Sequence, residues 1–364
     1  MEAEDPTLAH LIDQVNGARE ARASLDIRGG DTKRFYGEPA VGAPIKTTVL
    51  SGITSYEPTE LVVTARAGTR LSELEAALEE QGQCLPFEPP HFGAEGTVGG
   101  MVAAGLSGPA RASVGSVRDH VLGMTVLNGL GEVLTFGGQV AKNVAGYDVS
   151  RLMVGSLGIL GLICEVSLKV LPVSVATATL RFDWDEDRAL KQLKGWASHP
   201  LPISASAWQA GQLHVRLSGA RAAVAAACQK LGGERVEAGR AREWWTGLQD
   251  QSDTFFLLDD ARSARGESLW RISVPATFGP IKFPGNQLIE WHGAQRWWRT
   301  AAEPELIREV AARASGHATL MRGADKSAGV FSPLSGVLMR VHHRLKAAFD
   351  PARIFNPGRL YGGL

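Results

Sequence analysis

Three short stretches combine clustered glycine with hydroxyl, charged or small apolar residues, and these are where the chain could do chemistry. The first is Asp26-Ile-Arg-Gly-Gly-Asp-Thr-Lys33. The second runs from Gly93 to Gly105 and contains Gly96-Thr-Val-Gly-Gly100. The third is Gly155-Ser-Leu-Gly-Ile-Leu-Gly161. Glycine lets the main chain approach a ligand closely, and consecutive N–H groups form an anion-binding nest. Thr32 and Lys33 add a hydroxyl and a positive charge. A helix after the second loop would aim its N-terminus at the same anion. Taken singly, each stretch reads as well as a packing turn. Three in one chain imply a ligand longer than one phosphate. Neither a Gly-x-Gly-x-x-Gly fingerprint nor a Gly-Lys-Ser/Thr loop occurs, so the pattern is neither Rossmann nor Walker A.

The elements that must position these loops read as mixed α/β. Leu61–Ala65 predicts a strand. Leu71, Leu74 and Leu78 share one face of a following helix, with Ser72 and Glu75 as a capping box and Gly82 as its stop. Gly123–Asn128 and Glu132–Phe136 read as a hairpin. Leu162, Cys164, Val166, Leu168 and Val170 alternate with polar residues, the period of a half-buried strand. Helices are expected over Arg188–Trp196 and Ala220–Leu231. Strands are expected over Ala205–Trp208, Leu213–Leu217, Leu269–Val274 and Ala318–Met321. Ser332-Pro333 predicts the start of a last helix with Leu338, Val341, Leu345 and Phe349 on one face, closed by Asp350-Pro351.

Composition divides the chain. All nine tryptophans lie between Trp184 and Trp298, whereas sixteen of the 42 glycines lie between Gly93 and Gly161. A boundary is placed near Pro172, giving a first unit 1–172, a second 173–330 and a C-terminal segment 331–364. Lys+Arg and Asp+Glu are equal at 38 each, so charge gives no reason to expect nucleic acid as a partner. Cys84, Cys164 and Cys228 are too scattered for a disulfide framework or an iron–sulfur site, and no metal site is expected. The acidic N-terminus does not read as a secretory signal, and no run is long enough for an integral membrane segment. The expected location is cytoplasmic, with peripheral docking to the inner membrane through a complex left open.

The ordered set Arg28-Gly-Gly-Asp-Thr, Gly96-Thr-Val-Gly-Gly100, Gly115-Ser-Val-Arg-Asp-His-Val-Leu-Gly123, Lys142-Asn-Val-Ala-Gly-Tyr-Asp148, Gly155–Gly161 and Phe349-Asp-Pro…Phe355-Asn-Pro-Gly358 resembles the vanillyl-alcohol oxidase/p-cresol methylhydroxylase family of FAD proteins. Within it the chain resembles the FAD-binding E subunits of bacterial glycolate oxidases. The resemblance implies an α+β fold: a PCMH-type FAD-binding domain of two α/β subdomains, plus a smaller antiparallel-sheet cap at 173–330, with 331–364 returning to the FAD domain. It implies that Arg28, Gly29, Gly30, Asp31, Thr32 and Lys33 form a first pyrophosphate loop and Gly96, Thr97, Val98, Gly99 and Gly100 a second. Gly115, Arg118, Asp119 and Val121 would flank the ribityl and phosphate chain. Gly161, Leu162 and Ile163 would meet the adenine, and Asn356 would return to the flavin. Members with covalent FAD carry a His in the first loop; Asp31 in that neighbourhood implies non-covalent FAD.

The implied activity is glycolate (2-hydroxy-acid) oxidation, with electrons passed onward through a catalytic flavin subunit and an iron–sulfur subunit. The family's late His-rich substrate cluster is absent here. Oxidising a hydroxy acid needs a base for the hydroxyl proton and a cation for the carboxylate. Arg271 in Trp270-Arg-Ile-Ser and His292 in Trp291-His-Gly are the candidates. Two rival readings stay open: a stand-alone FAD-dependent hydroxy-acid or alcohol dehydrogenase, and a non-catalytic assembly or electron-relay subunit. The pairs Trp244-Trp245 and Trp297-Trp298 are expected in a core or at a partner interface, with the missing cluster favouring the interface.

Overall fold

The structure, a computed structural model, describes residues 5–138 and 148–364. Two antiparallel sheets organise it. The first runs Ile53–Glu57, Val62–Arg66, Leu162–Lys169, Val121–Leu127, Val133–Gly137. Leu162–Lys169 is its central strand, covered on both faces. Ile163 and Ser167 are therefore buried along with the alternating apolar set. The period-2 pattern located the strand but not its burial, because the second face is closed by distant segments. Helix Leu71–Glu80 buries Leu71, Leu74 and Leu78 against this sheet. Its expected capping box does not form: Arg70 is the N-cap, without a side-chain bond, and Glu75 is engaged by His91 instead.

The second sheet runs Glu234–Arg235, Ala176–Asp183, Gln212–Gly219, Ile203–Gln209, Asn286–Glu290, Gln295–Thr300, Ser268–Ser273, His317–Arg322. Its eight strands double the four expected from sequence. On one face, Trp270, Ile272 and Trp298 pack beneath helix Pro304–Arg313. On the other, Leu269, Leu288, Trp297 and Met321 join Tyr36, Leu106 and Leu157 in a core shared with the first half of the chain. Trp245, Trp297 and Trp298 are buried, so three of the four paired tryptophans build core rather than an open docking surface.

A parallel pair, Leu25–Arg28 with Ala43–Lys46, feeds the first glycine loop. The C-terminal helix is Gly336–Phe349, capped by Ser335, three residues after the expected start. Leu338 and Val341 are exposed, and the residue this helix buries fully is Lys346. Leu171–Pro172 pairs with Gln83–Cys84, so Pro172 ends in a two-residue ladder. No described helix is long and apolar enough to cross a membrane. Gln139 to Tyr147, holding most of the Lys142–Asp148 motif, lie outside the described residues.

Candidate functional site

The first glycine loop leaves the strand Leu25–Arg28 and turns through Asp31, whose φ of 60° is left-handed. The N–H groups of Gly30, Asp31, Thr32 and Lys33 find no protein acceptor among the described residues. Four consecutive free amides are what an anion nest requires. Arg28 and Arg34 share Asp26 at 2.7 and 3.1 Å. The loop's remaining cation is Lys33. Burial pushes its ammonium down to about 8, against a weaker pull upward from Asp250.

The second loop works differently from the sequence expectation. Its amides are already used: Val98 N–H donates to Thr69 O at 2.9 Å, Gly99 N–H to Ala67 O at 2.8 Å and Gly100 N–H to Thr97 Oγ1 at 3.2 Å. Its glycines instead provide close packing. A Cβ on Gly99 would lie 2.7 Å from the Ala67 Cβ. A Cβ on Gly30 would lie 1.4 Å from the Glu95 carbonyl oxygen, and one on Gly29 would lie 2.4 Å from Thr97 Oγ1. The two loops touch, which local sequence could not reveal. Gly100 is the exception, since an added Cβ would meet only Thr97 Oγ1, at 3.1 Å.

In the third loop, Gly155, Leu157 and Gly158 all have positive φ. Asn356 staples it: its amide Nδ2 donates to Leu157 O at 2.6 Å and its Oδ1 accepts from Ile27 N–H at 2.7 Å. A Cβ on Gly158 would lie 2.7 Å from that Nδ2.

One continuous cleft results. Its open end is walled by Arg28–Lys33, Thr97, Gly100 and Arg359, and its inner end by Gly99, Gly158, Gly161 and Ile163. Ile27, Gly29, Gly100, Ala103, Leu157 and Asn356 belong to both ends. Gly96 sits under the His91 carbonyl, and Val98 and Leu162 point into the core. Gly115, Arg118, Asp119 and Val121 do not line the cleft; Asp119 closes a capping box with Ser116, and Val121 is core. The free amides and Lys33, which has no ion-pair partner among the described residues, fit a diphosphate.

A second polar site lies between the sheets. Arg271 donates to the Tyr36 hydroxyl at 3.1 Å and lies over its ring. Arg111 lies 4.5 Å over the Trp291 ring. Burial lowers the pKa of Arg111, and the Arg271 charge lowers it further; burial, Arg271 and Arg111 together lower that of His317. Neither arginine has a carboxylate in ion-pair contact among the described residues. Arg271 was legible in the sequence, whereas Arg111 and His317, whose neighbours are distant in the chain, were not. His292 is placed otherwise: with φ of 56°, its Nδ1 meets Ser206 Oγ at 3.1 Å and its Nε2 meets Ser113 Oγ at 3.4 Å. Glu290 is fully buried. Burial raises it to about 7, against the bonds it accepts from Trp297 and Gln295.

Residues 6–137 match the family model described as an FAD binding domain. The chain is 47% identical to glycolate oxidase subunit GlcE of Escherichia coli K12 over 354 residues, 97% of each chain. It belongs to the GlcE family. Other relatives match a smaller share of the chain. Glycolate oxidase subunit GlcD of Bacillus subtilis is 32% identical over 36% of this chain and 28% of its own. A D-lactate dehydrogenase of Anaerostipes hadrus is 37% identical over 38% and 29%. A solved alkyldihydroxyacetonephosphate synthase superposes with a TM-score of 0.64 at 15% identity, covering 97% of this chain and 76% of that one. GlcE-family membership and this likeness make the fold α+β of the PCMH type, and the FAD-binding model makes the chain an FAD-dependent oxidoreductase subunit.

Proposed function

We propose that this chain is the FAD-binding subunit of a glycolate oxidase complex, and that it holds FAD non-covalently in the cleft between the glycine loops. The observation that carries the reading is the row of free amides at Gly30–Lys33, facing Gly100 and Asn356 in a chain of the GlcE family. Bound there, FAD would supply the two-electron acceptor for oxidation of a hydroxy acid's CH–OH. The residues of this chain bind and orient it. The nest and Lys33 take the diphosphate, Gly161 and Ile163 take the adenine end, and Asn356 fixes the strand that carries the nest. Asp31 stands near where covalent members carry His, and among the described residues no His or Cys lines the cleft. That supports non-covalent attachment.

Residues 1–172 with 331–364 are assigned to the FAD unit and 173–330 to the cap. The buried Lys346 and the Asn356 staple support the return of the C-terminal segment. Between the units, Arg271 with Arg111 is assigned to the carboxylate of a small 2-hydroxy acid. His292 already engages two serines, which favours a packing role for it. A catalytic flavin subunit and an iron–sulfur subunit are the partners this reading takes from the family resemblance, with peripheral membrane docking through them.

The test is reconstitution. Glycolate-dependent reduction of an artificial acceptor should require this chain together with its partners. A purified chain that alone oxidises glycolate at the rate of the assembled complex would overturn the subunit reading.

A further inference from the structure

We propose that His91 is a positioning residue for the cofactor's diphosphate: by bridging Glu75 and Asp250, it holds Lys33 and the helix Ala238–Gln249 in one fixed relation. The inference rests on the assignment of Lys33 to the FAD diphosphate.

His91 lies in Pro89-Pro90-His91-Phe92, on the connection from helix Leu71–Glu80 to the second glycine loop. Its Nε2 is 2.7 Å from Glu75 Oε2. Its Nδ1 and its backbone N–H are 3.0 and 2.9 Å from Asp250 Oδ1. Glu75 is on the helix of the first unit, whereas Asp250 caps the helix Ala238–Gln249 of the second. A neutral imidazole has one donor, and ionised carboxylates only accept. Both ring nitrogens must therefore carry protons, so His91 is an imidazolium here. The hydrogen bond to Asp250, then that to Glu75, raise its pKa to about 10 against the opposing effect of burial. Burial pushes the Asp250 carboxyl up, but its bonds from His91 outweigh this and leave it below the ordinary range. The charged groups around the ring are Glu75, Asp250 and, acting on Asp250, Lys33.

The carbonyl of the same residue accepts from Lys33 Nζ at 3.2 Å. It also lies 3.2 Å from where a Cβ on Gly96 would be. One residue thus touches both glycine loops with its backbone and both units with its ring. Neighbouring ties run the same way. Gln249 Nε2 donates to Pro89 O at 3.1 Å, and Arg322 lies over the Phe35 and Phe92 rings at 4.6 and 5.6 Å. Lys33 is a long side chain whose useful position depends on its carbonyl partner. Losing the ring bonds leaves that carbonyl held only by the backbone ties of His91 N–H and Pro89 O, so the ammonium is aimed less tightly.

The test uses the full-length chain and three ligands: FAD, ADP and adenosine. His91→Gln is expected to weaken FAD and ADP alike by about tenfold, the worth of one misplaced charge-assisted hydrogen bond. Adenosine, which lacks the diphosphate, should bind unchanged. Asp250→Asn keeps the side-chain shape, should reproduce the loss, and carries the comparison if His91→Gln does not fold. NMR of the His91 ring should show the imidazolium persisting well above neutral pH in the native chain, and losing its proton at lower pH in Asp250→Asn. Equal weakening of all three ligands, or undiminished FAD affinity in both variants, overturns the proposal. Undiminished FAD affinity in Lys33→Met is a separate result, which instead overturns the assignment of Lys33.

Discussion

Lys346 Nζ and Asp350 Oδ2 meet at 2.8 Å with both side chains fully buried, at the end of the last helix. The ammonium's other donors go to Ile159 O and Phe355 O, both at 2.7 Å. Asp350 in turn accepts from the N–H groups of Ile354 and Phe355. This knot seats Phe355 and Asn356 against the strand that carries the amide nest. Asp350→Ala leaves a buried cation without its counter-charge and should cost about 3–5 kcal/mol of stability. Asp350→Ala also strands the buried N–H groups of Ile354 and Phe355, which Lys346→Met does not, so Lys346→Met should cost less. Urea unfolding of the two variants checks the order.

The glycines separate by what lies beside them. Gly30→Ala puts a Cβ into the Glu95 carbonyl and should prevent the two loops from docking, giving poorly folded protein. Gly100→Leu crowds only the rotatable Thr97 hydroxyl at its first carbon and adds bulk to the cleft wall, so it should fold with a native circular dichroism spectrum yet take up no FAD. Circular dichroism and bound-flavin absorbance, measured on both, distinguish them.

Lys33 sets a pH dependence. Burial lowers its pKa to about 8 in the free protein, and a bound diphosphate favours the charged form and raises it again. Binding therefore takes up a proton above that value. FAD affinity should be level up to about pH 8 and then fall by up to about tenfold per pH unit until the bound-state pKa is reached. Lys33→Met should flatten the profile and weaken binding about 10- to 100-fold at neutral pH. FAD fluorescence titrations across pH measure both.

Arg271 and Arg111 predict an anion effect at the interface. Small 2-hydroxy or 2-oxo acids should perturb the bound-flavin spectrum. Arg271→Met should raise their dissociation constants about tenfold or more without releasing FAD, since the lost contact is a charge-assisted one. His292→Asn should leave that affinity close to native. Difference spectra with glyoxylate read out both variants.

Local pattern made the elements legible where burial follows one chain segment: helix Leu71–Glu80 and the hairpin joining Val121–Leu127 to Val133–Gly137 match their sequence expectations within two residues. It was silent where a partner comes from far away. Glycines at 29, 30 and 99 read as ligand contacts; they line the cleft, and each also accommodates protein, namely Thr97, Glu95 and Ala67. Residue type announces that backbone must come close, not what it comes close to. The same holds for the site. The first loop and Asn356 were readable as motifs. His91, Arg111 and His317 act through partners up to 206 residues away, and no spacing rule marks them.

The absorbance spectrum of the purified chain, before and after acid precipitation, bears most directly on whether the amides of Gly30–Lys33 hold a dinucleotide. The expected result is a yellow protein whose flavin passes wholly into the acid supernatant as FAD. A colourless chain that stays so after incubation with FAD, or a flavin that remains in the acid pellet, contradicts it.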